Sequence, residues 1–262
     1  MIIHSYLTDG FYGWAELFVK SFRFHHGNDY KIFLTTRNLN KKQIENLESF
    51  PNIHISNEKL NIRDIANRAK MNVEDILKLK HKIENDAVTE KSFIWKQAIS
   101  VEDRYKRSII EVMYAFPQED YLVHFDIDMY FRDNLFDLFK TIKDNDITIK
   151  FRLNSKINRK VMGGLIGFKI SEKTIRFMKK WINYIDEKPL HKKPIGYGQT
   201  SFYLAYLFMK NELSWGNVKS KYISPRFLET DVIWSGNTKD GKEKNLIKCY
   251  EDFESRRKMK CL

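Results

Sequence analysis

The sequence predicts a single α/β domain, a sheet flanked by helices with a helical insertion at 61–90. Two observations carry this expectation. Short β-rich apolar runs alternate with segments whose apolar residues recur at helical spacing. In addition, 262 residues are enough for one large α/β core, and no linker is long enough to split the chain into two domains.

The elements follow in order. Ile2 to Leu7 is an apolar strand, broken by Thr8-Asp9-Gly10. Trp14, Leu17, Phe18 and Phe22 mark a helix. Tyr30 to Thr35 is a second strand, Lys41 to Ser49 a short helix, and Ile53 to Ile55 a third strand. This β-α-β-α-β opening is the pattern of a parallel sheet with crossover helices. Residues 61–90 are polar and lysine-rich with sparse apolar positions, hence the expected insertion, a candidate flap. A helix then runs from about Phe93 to Phe116, and Pro117 ends it.

Tyr121 to Phe125 is a buried-looking strand, followed by a helix near Asp133 to Lys143 and a strand at Ile147 to Phe151. Met162 to Phe168 is a glycine-punctuated strand, and Glu172 to Glu187 an amphipathic helix. A loop at Lys188 to Gly198, a helix at Thr200 to Lys210 and a strand at Lys219 to Ile223 come next. Residues 236–262 are expected to be a basic loop and tail.

Composition narrows the partners. Lys and Arg total 46 against 34 Asp and Glu, a formal charge of +12, which favours nucleotide diphosphates, nucleic acid or an acidic membrane face. A solvated lysine-rich surface accounts for the same charge equally well. The two cysteines, Cys249 and Cys261, have no metal-ligand spacing, so a reduced, cytoplasmic protein is expected. No run of about 18 apolar residues is present, so no transmembrane segment is expected, and peripheral membrane contact stays open. The first residues lack the basic segment and cleavage site of a signal peptide.

The informative motif is Asp126-Ile127-Asp128, at the carboxyl end of the strand Tyr121 to Phe125. Ligands of open α/β sheets bind beyond the carboxyl ends of strands. Residues i and i+2 of extended chain point the same way, and two adjacent carboxylates repel unless a cation lies between them. Mg²⁺ or Mn²⁺ takes oxygen ligands and bridges to substrate phosphates, so the pair reads as a divalent-ion site for a diphosphate. The structural alternative is a capped turn before the next helix. A second D-x-D, Asp144-Asn145-Asp146, sits at the amino end of its strand and reads as a solvated turn.

The stretch YLVHFDIDMYFRDNLFDLF resembles the centre of the GT-A glycosyltransferases, where an apolar strand runs into D-x-D and then a helix. The resemblance implies a Rossmann-like mixed sheet and transfer of a sugar from a UDP- or GDP-sugar donor. It assigns Asp126 to the donor ribose or metal and Asp128 to the metal and diphosphate. The opening IIHSYLTDG is similar to the family's nucleotide-binding first strand, which places Thr8 and Asp9 at the base and ribose. Arg107, in the helix before D-x-D, stands where the family has a recurrent Arg that reaches the donor. MGGLIGFKIS resembles the strand that lines the sugar pocket, implicating Gly163 and Gly164. The likeness covers roughly residues 1–235, and only D-x-D is sharply specific.

Two departures matter. Retaining members of similar layout often carry Asp-Gln where this chain has Gly198-Gln199, so Gln199 is expected by the sugar without the acidic neighbour. Many members close the metal site with a late His; no His follows His191 here, leaving Asp231, Asn237 or no protein ligand in its place.

Other residues have two readings each. Lys239 in the glycine-rich loop 236–245, with Lys242 and Lys244, either closes on the diphosphate and stabilises the leaving group or is plain surface. Among the tryptophans, Trp181 reads as core and Trp234 as the best candidate to stack on sugar. His124 reads as a satisfied core histidine. Arg152, Asn154, Asn158, Arg159 and Lys160 either bind an acidic acceptor or solvate a loop.

The acceptor classes that fit are a glycan, a lipid-linked glycan or a modified DNA base. The competing functions are a Mg²⁺-dependent nucleotidyltransferase and a basic nucleic-acid-binding protein whose D-x-D is incidental. A haloacid-dehalogenase-type phosphatase is excluded: Met129-Tyr130 replace its Thr, and a full β-α-β-α-β precedes the motif.

Overall fold

The computed structural model describes residues 1–58, 74, 101–152, 154–187, 197–223, 227–235 and 242–260. In chain order the strands are β1 (Ile2–Thr8), β2 (Lys31–Arg37), β3 (Ile53–Glu58), β4 (Tyr121–Phe125), β5 (Met129–Phe131), β6 (Ile147–Phe151), β7 (Val161–Lys169), β8 (Trp215–Asn217) and β9 (Ile233–Ser235). The helices are α1 (Tyr12–His26), α2 (Lys41–Glu48), α3 (Val101–Ala115), α4 (Phe136–Lys143), α5 (Glu172–Asp186), α6 (Tyr197–Met209) and α7 (Lys242–Lys260).

Local chemistry sets the ends. Gly27, at φ 67°, closes α1 and donates its N–H to Arg23 O at 2.9 Å, a backbone conformation that favours glycine. Asn40 and Gln43 form a reciprocal capping box on α2, at 2.9 and 3.0 Å. Ser171 and Thr174 do the same for α5.

Among the described residues, the strands form a seven-stranded sheet in the order β3-β2-β1-β4-β7-β6-β8 and a two-stranded ribbon, β5-β9. β1, β2, β3 and β4 run parallel, while β7 is antiparallel to both β4 and β6. The sheet is therefore mixed and flanked by helices, as expected. β1 is buried along almost its whole length because helices cover both faces. One face packs on Phe18 and Phe22 of α1 and Leu138 and Ile142 of α4. The other packs on Ile109 and Val112 of α3, Phe177 and Trp181 of α5, and Phe202 of α6. Each such fully buried side chain contributes about 1.5–3 kcal/mol relative to exposure. A third cluster, with Trp14, Tyr130, Trp234, Cys249 and Phe253, holds α7 against α1 and the ribbon.

Three expectations are corrected. The strand at Lys219 to Ile223 is a short 3-10 turn at Ser220–Tyr222; the ladder beside β6 is taken by Trp215–Asn217, and only Tyr222 and Ile223 of the expected strand are buried. Gly198 is in the first turn of α6 rather than a loop. The tail is a 19-residue helix, α7, so Lys242 and Lys244 are in its first turn. Leu246, Cys249, Tyr250 and Phe253 recur on one helical face there, a pattern hidden among lysines. The insertion at 61–90 falls almost wholly outside the described residues, as do Trp95, Asn237 and Lys239.

Candidate active site

The strand order reverses between β1 and β4. β2 and β3 extend from one side of β1, and β7, β6 and β8 from the far side of β4. At such a switch point the connections diverge and leave a crevice beyond the carboxyl ends. Thr8 closes β1 there, and Asp126 follows the last residue of β4.

A cleft of about 370 Å³ occupies that point. Tyr6, Leu7 and Thr8 line it from β1, and Phe11 from the turn that follows. Asp126, Ile127 and Asp128 line it from the β4–β5 connection, Gly163 and Gly164 from β7, and Gly198 and Gln199 from α6. Tyr105 and Lys106 of α3 complete the wall.

The aspartates are held by a turn, not by extended chain as expected. Asp126 accepts the Met129 N–H at 3.2 Å, and its own N–H donates to Gly164 O at 2.7 Å. The reversal is needed because β5 leaves the main sheet to pair with β9. Both residues line the cleft with unequal exposure: the Asp126 side chain is 51% exposed, while Asp128 is 6% exposed. Gly164 is what admits Asp126. A Cβ on it would stand 2.6 Å from Asp126 Oδ2, so any side chain would displace the carboxylate.

Lys106 is the basic residue among the described residues that line the cleft. It is 1% exposed, with its ammonium 4.6 Å from the Tyr105 ring centre and 5.5 Å from that of Trp181. Arg107, expected in this role, is instead outside, paired at 2.7 Å with Asp186, the two side chains 43% and 50% exposed. The phase of α3 decides between them. Ile109, Val112 and Met113 are its buried face, and Lys106 is one turn before Ile109 while Arg107 is rotated away. That spacing was readable in the sequence.

Other expected residues are scattered. Asp231 is not in the cleft; its carboxylate accepts the Leu228 N–H at 3.0 Å and caps the turn before β9. Trp234 is 2% exposed, donates its indole N–H to Leu228 O at 2.9 Å and carries the Arg132 guanidinium at 4.0 Å, so no face is open to a sugar. Asp9 is exposed just past Thr8 and accepts the Gly10 N–H at 2.9 Å. Gln199, with its amide nitrogen turned toward them, donates to the carbonyls of Asn158 (2.8 Å) and Val161 (3.1 Å) and so ties α6 to the start of β7. Asp146 of the second D-x-D binds the N–H and hydroxyl of Ser214, the turn role expected.

The donor set suits a hard divalent ion. Two carboxylates offer oxygen ligands, and Mg²⁺ or Mn²⁺ completes its shell with water and substrate phosphates. Among the described residues no group of three or more His, Cys, Asp and Glu gathers.

The galactosyltransferase LgtC, in complex with donor and acceptor sugar analogues, superposes on this fold with a TM-score of 0.54 over 97% of this chain and 96% of its own, at 13% identity. The fold is that of the GT-A glycosyltransferases. The glycosyltransferase GlyE of Streptococcus pneumoniae TIGR4 also shares this GT-A fold, with a TM-score of 0.52 at 12% identity over 91% of this chain. Its apo form gives 0.55 at 11% over 98%. The chain spans 55% and 63% of those two GlyE structures. No protein-family model and no curated protein matches the sequence. No helix among the described residues is long and apolar enough to cross a membrane.

Proposed function

We propose that the chain is a metal-dependent glycosyltransferase that moves a sugar from a nucleotide-diphosphate sugar to an acceptor. The observation that carries the reading is the meeting of Asp126, Asp128 and Lys106 in one cleft at the β1–β4 switch point. A basic nucleic-acid-binding protein has no need of two carboxylates there, which would repel phosphate.

Asp126 and Asp128 would hold Mn²⁺ or Mg²⁺, which when bound supplies Lewis-acid neutralisation of the diphosphate. Lys106 would supply a positive charge in the cleft wall, opposing the negative charge that grows on the departing nucleoside diphosphate. Thr8 and Phe11 form the end of the cleft that suits the base. Gly163 and Gly164 keep the β7 wall low enough for a sugar ring. Gln199 lines the cleft beside the start of β7, next to the basic stretch Arg152 to Lys160, which favours an anionic or glycan acceptor. A variant of LgtC with an active-site glutamine changed to glutamate has been solved, which makes Gln199 the first position to test by the same change.

The test is nucleotide binding with and without metal. UDP or GDP should raise the melting temperature only when Mn²⁺ or Mg²⁺ is present, and nucleotide-sugar hydrolysis or transfer should follow the same requirement. Stabilisation by oligonucleotides without metal, and none by nucleoside diphosphates, would overturn it.

A further inference from the structure

Helix α6 has no polar, charged side. Its 13 residues, Tyr197–Met209, include no Asp, Glu, Lys, Arg or His. A helix that is apolar all round ordinarily belongs inside a core. Only one side of α6 is inside one: Phe202, Ala205 and Met209 are buried in the cluster that joins α6 to α5 and the sheet. The opposite side faces out. Leu207 is 43% and Phe208 63% exposed, and Tyr203, Leu204 and Tyr206 are half-buried. Ile157, in the 3-10 turn Ile157–Arg159 that packs on α6, adds another apolar side chain, 49% exposed.

The border of this face is basic. Lys160 Nζ lies 5.8 Å from the Tyr203 ring centre and Lys180 Nζ 4.4 Å from that of Phe208. Lys210 follows Met209 at the end of the helix, and Glu212 beyond it is paired with Arg176 of α5. Exposed rings and methyl groups bordered by lysines match the boundary of an anionic bilayer, where the apolar groups enter and the ammonium groups meet phosphate. A second copy of the chain suits the face less well, because a two-fold contact brings the same basic border onto itself.

Position ties the face to the cleft. Gln199, Tyr203 and Leu207 recur every fourth residue, so they form one row along α6, about 12 Å long. Gln199, at one end of that row, lines the cleft. We propose that the outer face of α6 seats the protein on an anionic lipid surface, with the Gln199 side of the cleft beside it. The lipid contact stands on the α6 face alone. Its use, to meet an acceptor at the bilayer, rests on the reading of the chain as a sugar transferase.

Vesicle sedimentation tests the contact without metal, nucleotide or acceptor. The wild-type protein should sediment with vesicles of phosphatidylglycerol and phosphatidylcholine in equal parts, and stay in solution with phosphatidylcholine alone. Leu207→Ser combined with Phe208→Ser should lower the partition coefficient by about tenfold or more, since two apolar side chains no longer enter the lipid. Lys180→Gln combined with Lys210→Gln should lower it by about fivefold for each charge removed. Melting temperatures show that each variant is folded, and the lysine pair decides the matter if the serine pair does not fold. Absence of wild-type binding to the mixed vesicles overturns the proposal, as does equal binding to both kinds of vesicle. Unchanged binding by the folded variants moves the contact to another face and overturns it too. A dimer that the serine pair dissociates, with no vesicle binding, assigns the face to a second copy instead. Intact vesicle binding without metal-dependent nucleotide binding removes the transferase reading and leaves the lipid contact; the converse removes only the lipid contact.

Discussion

The Asp126 carboxylate occupies the space that a side chain at position 164 would take, with Asp126 Oδ2 only 2.6 Å from the point where a Cβ on Gly164 would stand. The pair joins two segments nearly forty residues apart in sequence, the glycine strand β7 and the β4–β5 turn, through an Asp126 N–H to Gly164 O bond of 2.7 Å. Gly164→Ala should therefore rotate the carboxylate away while sparing the core. The expected result is loss of metal-dependent nucleotide binding by tenfold or more, of the order found for disturbed ligand shells, with a far-ultraviolet circular dichroism spectrum like wild type. Unchanged Mn²⁺ affinity would show that the carboxylate does not need this place.

Asp128→Ala should abolish turnover and metal-dependent donor binding with the fold intact. Asp144→Ala, in the second D-x-D, should leave both near wild type, because that motif serves a turn. Titration calorimetry of UDP with and without Mn²⁺ on both variants compares them directly; wild-type rates in Asp128→Ala would remove the site assignment.

Lys106→Met keeps the length of the side chain and removes its charge. A hydrogen bond to a charged group is worth about 1.5–3 kcal/mol, so nucleoside diphosphate affinity should fall by about 10- to 100-fold. Arg107→Ala breaks an exposed pair with Asp186, which is worth about 1 kcal/mol at most, and should leave binding untouched. The reverse ranking of the two variants would mean that α3 presents its other face to the ligand.

Asp252 anchors α7. It accepts hydrogen bonds from Tyr130 (2.7 Å), Arg132 (3.1 Å) and Arg256 (2.8 Å), and the Arg132 side chain is 1% exposed. Asp252→Asn should cost about 3 kcal/mol, the scale of a broken buried pair, and lower the melting temperature by roughly 6–12 °C. Burial raises the Asp252 carboxyl, but the three hydrogen bonds outweigh it and hold it below its ordinary 3.8. A depressed carboxyl contributes stability that is whole above about pH 4 and is lost as pH falls through the folded value. Melting temperatures followed from pH 7 downward should show a smaller drop below about pH 4 in Asp252→Asn than in wild type.

The sequence by itself determined the alternation of strands and helices and the position of D-x-D after a buried strand, because period and apolarity are local properties. Ile2 to Leu7 and Tyr121 to Phe125 stand out as central strands on composition alone, and the switch point between them then places Thr8 and Asp126 together. Tertiary structure alone decided what side chains do with their reach. Trp234 looked free in sequence, yet α7 and Arg132 enclose it. Asp231 looked like a third ligand, but its nearest backbone N–H claimed it. Lys106 and Arg107 are the exception, since the helical phase of Ile109, Val112 and Met113 already separates them in the sequence, one toward the cleft and the other toward Asp186. His4 and His124 are 120 residues apart, and the parallel register of β1 and β4 sets them side by side. Spacing along a chain does not encode such register; it is settled when the sheet closes around its core, where every strand must satisfy its neighbours at once.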